Sequence, residues 1–278
     1  MLALYRVAEG EYNAAAMALP FLAAFVFLQA AAFSLRARFP NSSRFARHFL
    51  HLALYGIFYM QLHEMLSLSR PSTVDIALAG IDRTLFGTNP AAWLGTHGTP
   101  LLTDLLSISY FSYYFSMPLL LVLMWRGNTE HEFRRTLSAI TIGWYGALLT
   151  YFLFPALGPQ RCFPHELPVL HGYLPSTSFI LGFLAQNLTP AVRDCVPSMH
   201  TAVTLLTLHA AFKYQRRFFW SYLPFGAGVI VATVYLQQHY AVDTLLGFAA
   251  FVLITAFVHA SYSLFRPPTP RPQSRRKS

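Results

Sequence analysis

Charged residues are scarce in this chain. Asp, Glu, Lys and Arg make up 11% of its 278 residues, whereas 55% are apolar. A soluble domain carries about 25% charged residues, so this shortage excludes a soluble globular domain and predicts an integral membrane protein. The net charge of +9 does not indicate a nucleic-acid partner, because the basic residues stand in short clusters between apolar stretches. A nucleic-acid reader would carry them as a patch on one folded face.

The chain also lacks an internal repeat, and its first apolar stretch lacks the basic start of a signal peptide. Glu9 and Glu11 precede that stretch, so we expect a retained helix. About 20 apolar residues cross a membrane as a helix. The sequence therefore predicts an all-α polytopic membrane bundle of about seven transmembrane helices within one domain, 1–265, followed by a disordered basic tail, 266–278. The predicted spans are approximately 13–35, 49–68, 101–125, 136–154, 198–213, 218–237 and 241–265.

Basic residues mark one side of the predicted membrane. Every second connection between the predicted spans is basic, and these connections together with the tail hold fifteen of the twenty Lys and Arg residues. Such positive segments stay in the cytoplasm. We therefore expect the C-terminus in the cytoplasm and the N-terminus outside. Residues 75–86, in an outer connection, have apolar residues at helical spacing and predict a helix lying flat on the membrane.

The long outer loop at 155–197 holds both cysteines of the chain. Cys162 and Cys195 lie near its two ends, on the side where disulfides form. The sequence leaves two alternatives open for them: a disulfide, or two free and inert thiols.

The predicted topology brings five polar residues to one membrane face. His239 and Asp243 are four residues apart, a helical spacing that lets the carboxylate orient the imidazole. That would leave the other ring nitrogen of His239 as a nucleophile, with His200 opposite it as a general acid. Arg161 and Ser198 would hold the phosphoryl oxygens. This arrangement is typical of phosphoryl transfer through a phosphohistidine.

Other interpretations of these residues stay open. Each histidine taken alone could be a satisfied polar residue of a helix bundle. Two His and one Asp could also bind zinc or form a proton pathway. A small transporter is the non-enzymatic alternative, although transporters tend to place such groups at the membrane midplane between repeats. The aromatic residues at 110–115 predict packing or a wall facing lipid.

Two motifs resemble those of the type-2 phosphatidic acid phosphatase superfamily. The stretch Val-Pro-Ser-Met-His ending at His200 is similar to its second motif, usually Pro-Ser-Gly-His. The stretch from Val234 to Asp243 is similar to its third, His-x-x-x-Asp after an aliphatic and aromatic run. The resemblance implies a six-helix core, here about 49–265, and metal-independent catalysis without a cofactor. It assigns His239 as the nucleophile, Asp243 as its orienting partner and His200 as the acid.

The chain departs from the family pattern at two cationic positions. Phe154 stands where the first motif has Lys, and Thr233 stands where the third has Arg. In this respect the chain is more similar to the inositol phosphorylceramide synthase and sphingomyelin synthase branch, which moves a phosphorylated headgroup to a lipid alcohol. We therefore expect a phospholipid or lipid-phosphate substrate, a lipid alcohol acceptor and an extracytoplasmic site. The alternative is a lipid phosphate phosphatase that uses water.

Overall fold

The computed structural model describes residues 23, 26–69, 72–127, 129–186 and 193–264. The predicted tail at 266–278 and about half of the predicted first span lie outside these residues. The proposed division of the chain into one domain and a tail therefore stays a prediction.

The described part of the chain is built from α-helices, joined by turns and short 3-10 segments. The helices are α1 (Val26–Ala37), α2 (Pro40–Ser69), α3 (Asp75–Phe86), α4 (Pro90–Thr96), α5 (Pro100–Gly127), α6 (Glu130–Leu153), α7 (Pro159–Cys162), α8 (Pro175–Gln186), α9 (Met199–Tyr214), α10 (Arg216–Tyr235) and α11 (Ala241–Leu264). The all-α class predicted from the sequence is confirmed, and α3 has the predicted bounds.

Within the residues that the structure describes, four helices are long and apolar enough to cross a membrane: α5, α6, α10 and α11. They indicate a membrane protein. The predicted count of seven spans is not confirmed. One reason is α9, which has 16 residues and extends about 24 Å, less than the roughly 30 Å of a hydrocarbon core.

The short helix α9 lies at the centre of the bundle. It packs against α5, α6, α10 and α11, and most of its side chains are buried, including those of Thr201, Thr204 and Thr207. A helix enclosed by others on several sides needs no lipid-facing stripe. Its first turn, which carries His200, is therefore held by four neighbouring helices.

Local sequence signals explain where two helices begin. Thr129 and Glu132 form a capping box at the start of α6, which satisfies two backbone N–H groups. Ser198 caps α9 by accepting a hydrogen bond from the N–H of Thr201. The second cap matters for the site, because it fixes the backbone two residues before His200.

Candidate active site

Two histidines from distant parts of the chain face each other at one end of the bundle. Nδ1 of His200, in the first turn of α9, lies 3.0 Å from Nε2 of His239, in the turn between α10 and α11. The centres of their rings are 5.2 Å apart. The predicted meeting of these two residues is therefore present in the structure.

His239 is held through its other ring nitrogen. Its Nδ1 lies 3.3 Å from Oδ2 of Asp243 and 3.1 Å from the carbonyl oxygen of Cys195. Both neighbours are acceptors, so we assign the proton of His239 to Nδ1. Nε2 then carries a lone pair that points at His200.

His200 has a tyrosine partner on its far side. Its Nε2 lies 2.9 Å from the hydroxyl of Tyr110, on α5, and the two rings stack at 4.8 Å. If Tyr110 donates to Nε2, the proton of His200 lies on Nδ1 and is donated to His239. Tyr110, His200, His239 and Asp243 thus form one chain of hydrogen bonds.

Ser198 connects the two histidine segments through its backbone. Its N–H donates to the carbonyl oxygen of Asp243 at 3.1 Å, which joins the start of α9 to the start of α11. The Ser198 hydroxyl is fully buried and lies 3.2 Å from that of Thr201. The N-terminus of α9 therefore lies at the site, where its backbone N–H groups favour a negatively charged group.

Two buried acids of α3 hold the segments around the site. Asp75 accepts hydrogen bonds from the N–H groups of Leu157 and Gly158 and from the hydroxyl of Tyr240. Asp82 accepts from the N–H groups at the start of α11, at 2.9 and 2.8 Å. These bonds satisfy helix-terminal donors that α11 cannot satisfy itself. They tie the residues that follow His239, and the segment that precedes Arg161, to α3.

Arg161 is half-buried on α7, a one-turn helix that lies against the His239 turn. The preceding residue, Gln160, donates its N–H to the carbonyl oxygen of Gln237 at 3.0 Å. Gly158 makes this approach possible: a Cβ added there would lie 2.5 Å from the carbonyl oxygen of Gln238. The predicted proximity of the Arg161 segment to the His239 segment therefore holds at the level of the backbone.

The two cysteines are free thiols, not a disulfide. Cys162 is half-buried on α7. Cys195 is buried, and its Sγ donates to Oδ2 of Asp243 at 2.7 Å. Burial raises the pKa of the Cys195 thiol well above its usual range, and the neighbouring Asp243 carboxylate raises it further. Cys195 therefore remains protonated as a donor.

Cys195, His239 and Asp243 offer one ligand atom each within 4.8 Å of one another. Among the residues that the structure describes, they form the group that could hold a metal ion. This set differs from the two histidines and one aspartate considered from the sequence, because Cys195 takes the place of His200.

The two departures from the family motifs leave no cation at those positions. Phe154, at the end of α6, is 52% exposed. Thr233 is fully buried, and its hydroxyl donates to the carbonyl oxygen of Ile230 at 2.7 Å and lies 3.3 Å from that of Thr244. Thr233 therefore packs α10 against α11.

A cavity of about 340 Å³ borders the His239 turn. Its walls are mainly the apolar side chains of α8 and of residues 167–170, and three glutamines, Gln160, Gln237 and Gln238, line its polar part. Gln160 precedes Arg161 and Gln238 precedes His239. The cavity therefore lies next to both segments of the site.

Sequence reasoning missed three residues that position the site. It interpreted Tyr110 as packing or as part of a wall facing lipid, and it gave Asp75 and Asp82 no role in the site. Polar residues in otherwise apolar helices could have drawn attention to the two acids, because a buried carboxylate requires partners. Nothing in the sequence distinguishes Tyr110 from its aromatic neighbours.

One comparison with known proteins identifies a family for this chain. A sequence model of the PAP2 superfamily matches residues 76–257, about two thirds of the chain, and this range includes both histidines and Asp243. No curated protein and no solved structure matches the chain significantly.

Proposed function

Because the chain belongs to the PAP2 superfamily, we propose that it is a membrane enzyme that transfers a phosphoryl group or a phosphorylated headgroup from a lipid phosphate ester. The reaction passes through a phosphohistidine on His239. The observation that carries the proposal is the contact of 3.0 Å between Nε2 of His239 and Nδ1 of His200, with Asp243 on the opposite side of the His239 ring.

In the first step, a lipid phosphate ester enters between the two histidines. The lone pair of Nε2 of His239 attacks phosphorus, and the bond from phosphorus to the leaving oxygen breaks. His200 enters this step as the imidazolium, gives its Nδ1 proton to that oxygen as a general acid and is left as the neutral imidazole. The Asp243 carboxylate stabilises the positive charge that develops on the imidazole of His239, as a buried carboxylate does in other nucleophilic sites.

Phosphate oxygens are bound by cationic side chains and by N–H hydrogen-bond donors. Arg161 supplies the guanidinium, whose fork matches two phosphate oxygens. The N-terminus of α9 supplies backbone N–H groups beside His200. Ser198 contributes its hydroxyl, which also caps the helix.

In the second step, His200 removes a proton from an acceptor hydroxyl. The acceptor oxygen attacks phosphorus, and the bond from phosphorus to Nε2 breaks. The acceptor is a lipid alcohol in a phosphotransferase and water in a phosphatase. Both reactions use the same residues, so the identity of the acceptor depends on what binds beside His239.

Two observations favour the lipid alcohol. Phe154 and Thr233 remove two cationic phosphate contacts, and each charge-assisted contact is worth about 1.5 to 3 kcal/mol. A phosphate monoester, bound mainly through its terminal phosphate, would lose this affinity. A phosphodiester, which joins a headgroup to the lipid, carries less negative charge and depends less on cationic contacts. The cavity of about 340 Å³ beside Gln238 also offers space for a second, partly apolar substrate.

The site would open to the extracytoplasmic side. His200 lies in the first turn of α9 and His239 precedes α11, whereas Lys213 lies in the last turn of α9 and Arg216 begins α10. The histidines and this basic connection therefore lie at opposite ends of α9, and basic connections stay in the cytoplasm.

A product assay tests the proposal. Purified protein in lipid micelles receives EDTA, phosphatidate, a phosphoinositide, and diacylglycerol or ceramide as acceptor. A new acceptor-derived phospholipid with little free phosphate identifies a phosphotransferase, and free phosphate identifies a phosphatase. His239→Ala should abolish either product.

The matched control is His209→Ala. His209 lies on the same helix as His200, nine residues further on and about 13.5 Å along the helix axis, where its ring contacts that of Phe251. This variant should retain turnover. Turnover that survives His239→Ala would overturn the assignment of the nucleophile, and no turnover of any lipid phosphate by the wild-type protein would overturn the proposed function.

A further inference from the structure

We propose that Cys195, His239 and Asp243 form a binding site for one thiophilic divalent cation of the zinc class, and that the bound ion inhibits the enzyme. The inhibitory effect rests on the proposed role of His239 as a nucleophile, whereas the site itself rests on the geometry of the three side chains. All three are buried, with exposed fractions of 2%, 4% and 0%.

The distances between the ligand atoms match those around a tetrahedral ion. Zinc holds sulfur at about 2.3 Å and nitrogen or oxygen at about 2.0 to 2.1 Å, so that a sulfur and a nitrogen lie about 3.6 Å apart and a nitrogen and an oxygen about 3.3 Å apart. Sγ of Cys195 and Nδ1 of His239 are 3.6 Å apart, and Nδ1 and Oδ2 of Asp243 are 3.3 Å apart. Sγ and Oδ2 are 2.7 Å apart. Two such ligands on one ion lie about 3.6 Å apart, so this separation would increase by about 0.9 Å on binding.

The Asp243 carboxylate can accept a further ligand. Its Oδ1 is buried without a hydrogen-bond partner among the described residues. A buried carboxylate oxygen without a partner is costly. An ion beside Asp243 would relieve this cost, because either oxygen can serve as a ligand. This observation points to a ligand independently of the three distances.

Ion binding changes which atoms of the site carry protons. Cys195 loses its thiol proton to solvent, and Sγ bonds the ion as a thiolate. The ion takes the lone pair of Nδ1 of His239, so the proton of the neutral imidazole moves to Nε2. Nε2 then has no lone pair with which to attack phosphorus. Metal binding and nucleophilic attack therefore exclude each other.

A titration with Cd²⁺ tests the site directly, because a bond between cadmium and a thiolate gives an ultraviolet charge-transfer band. The full-length protein in lipid micelles without chelator is titrated while the band and lipid phosphate turnover are recorded in parallel. The chain has two cysteines, so Cys162→Ser leaves Cys195 as the only thiol. Cys195→Ser is the matched variant that leaves Cys162.

In Cys162→Ser we expect a band that saturates at one ion per chain, together with inhibition. Cys195→Ser should lose the band. Its inhibition, relative to its own metal-free rate, should require a Cd²⁺ concentration more than about tenfold higher, since even the loss of an outer contact to a ligand costs tenfold or more in affinity. Cys162→Ser decides the test even if Cys195→Ser does not fold.

The outcomes separate this inference from the proposed function. No saturable band in Cys162→Ser, or an equal band in Cys195→Ser, overturns the site. A saturable band without inhibition of an active protein overturns the inhibitory effect. A saturable band on a protein that turns over no lipid phosphate without metal supports the site and overturns the proposed function.

Discussion

The hydroxyl of Tyr240 donates a hydrogen bond of 2.9 Å to Oδ1 of Asp75, across 165 positions of sequence. Asp75 also holds the N–H groups of Leu157 and Gly158. One buried carboxylate therefore ties the residue that follows His239 to the turn that precedes Arg161. The hydrogen bond from the N–H of Gln160 to the carbonyl oxygen of Gln237 is a second link between these segments.

Tyr240→Phe removes this hydrogen bond and leaves the ring in place. A hydrogen bond to a charged group is worth about 1.5 to 3 kcal/mol, so we expect the free energy of unfolding to fall by about that amount. Thermal unfolding in lipid micelles measures the change. A variant as stable as the wild type would show that the bond contributes no stability.

Gly158→Ala should disrupt the site. Gly158 has φ of 90° and ψ of 161°, a region that is essentially restricted to glycine and costs other residues about 1 to 3 kcal/mol. Its added Cβ would also lie 2.5 Å from the carbonyl oxygen of Gln238. We expect a loss of stability and a fall in lipid phosphate turnover, because the His239 turn must move.

The matched control for this change is Gly87→Ala. Gly87 ends α3 with φ of 71°, and a Cβ there meets nothing within 4 Å. This variant should lose about 1 kcal/mol of stability from the left-handed conformation and should retain turnover per folded molecule. Equal turnover by the two variants would contradict the importance of the close approach at Gly158.

Tyr110→Phe should lower kcat with little change in KM. The change retains the stacked ring and removes the hydroxyl that contacts Nε2 of His200. Proton transfer by a positioned group raises the reaction rate about 10²- to 10⁴-fold. Loss of the hydroxyl that orients His200 should therefore lower kcat about tenfold or more. Steady-state kinetics on a lipid phosphate measure the effect.

Tyr235→Phe is the control for Tyr110→Phe. Tyr235 packs in the same cluster as Tyr110, and its buried hydroxyl lies 2.7 Å from that of Thr103. Its loss should reduce stability by about 0.5 to 1.5 kcal/mol and leave kcat unchanged. The role given to Tyr110 is wrong if both variants have the same kcat.

Gly182→Phe should fill part of the cavity beside the His239 turn. Gly182 lines this cavity from α8, and a Cβ there meets nothing within 4 Å. If a lipid alcohol binds in the cavity, acceptor-derived product should fall more than transfer to water. Gly146→Phe, at a helical glycine of α6 with equally open surroundings, is the control and should leave the ratio of the two products unchanged.

Much of the fold was predictable because apolar runs follow the spans closely. The sequence predicted 218–237 and 241–265, and the helices run over Arg216–Tyr235 and Ala241–Leu264. The start of α6 was placed at 136, six residues late, because Glu130, Arg134 and Arg135 interrupt the apolar run. The capping box of Thr129 and Glu132 begins this helix instead. The short helices α4, α7 and α8 were not predicted, although the Asn89 cap followed by Pro90 marks the start of α4 in the sequence.

The site was predictable only in part. The contact between His200 and His239 follows from the direction of successive helices, and the spacing of His239 and Asp243 follows from helical geometry. The contacts of Tyr110, Asp75 and Cys195 depend on how helices pack against one another. Sequence spacing carries no information about such contacts.

The most direct test of the account is to trap the phosphoryl group on the enzyme. The protein is mixed briefly with a lipid phosphate that carries radioactive phosphorus, quenched with alkali and mapped by proteolysis. We predict an acid-labile, alkali-stable label on His239 that is absent in His239→Ala. In His200→Ala the label should persist longer, because His200 activates the acceptor that removes it. A label on another residue, or turnover without any label on His239, would contradict it.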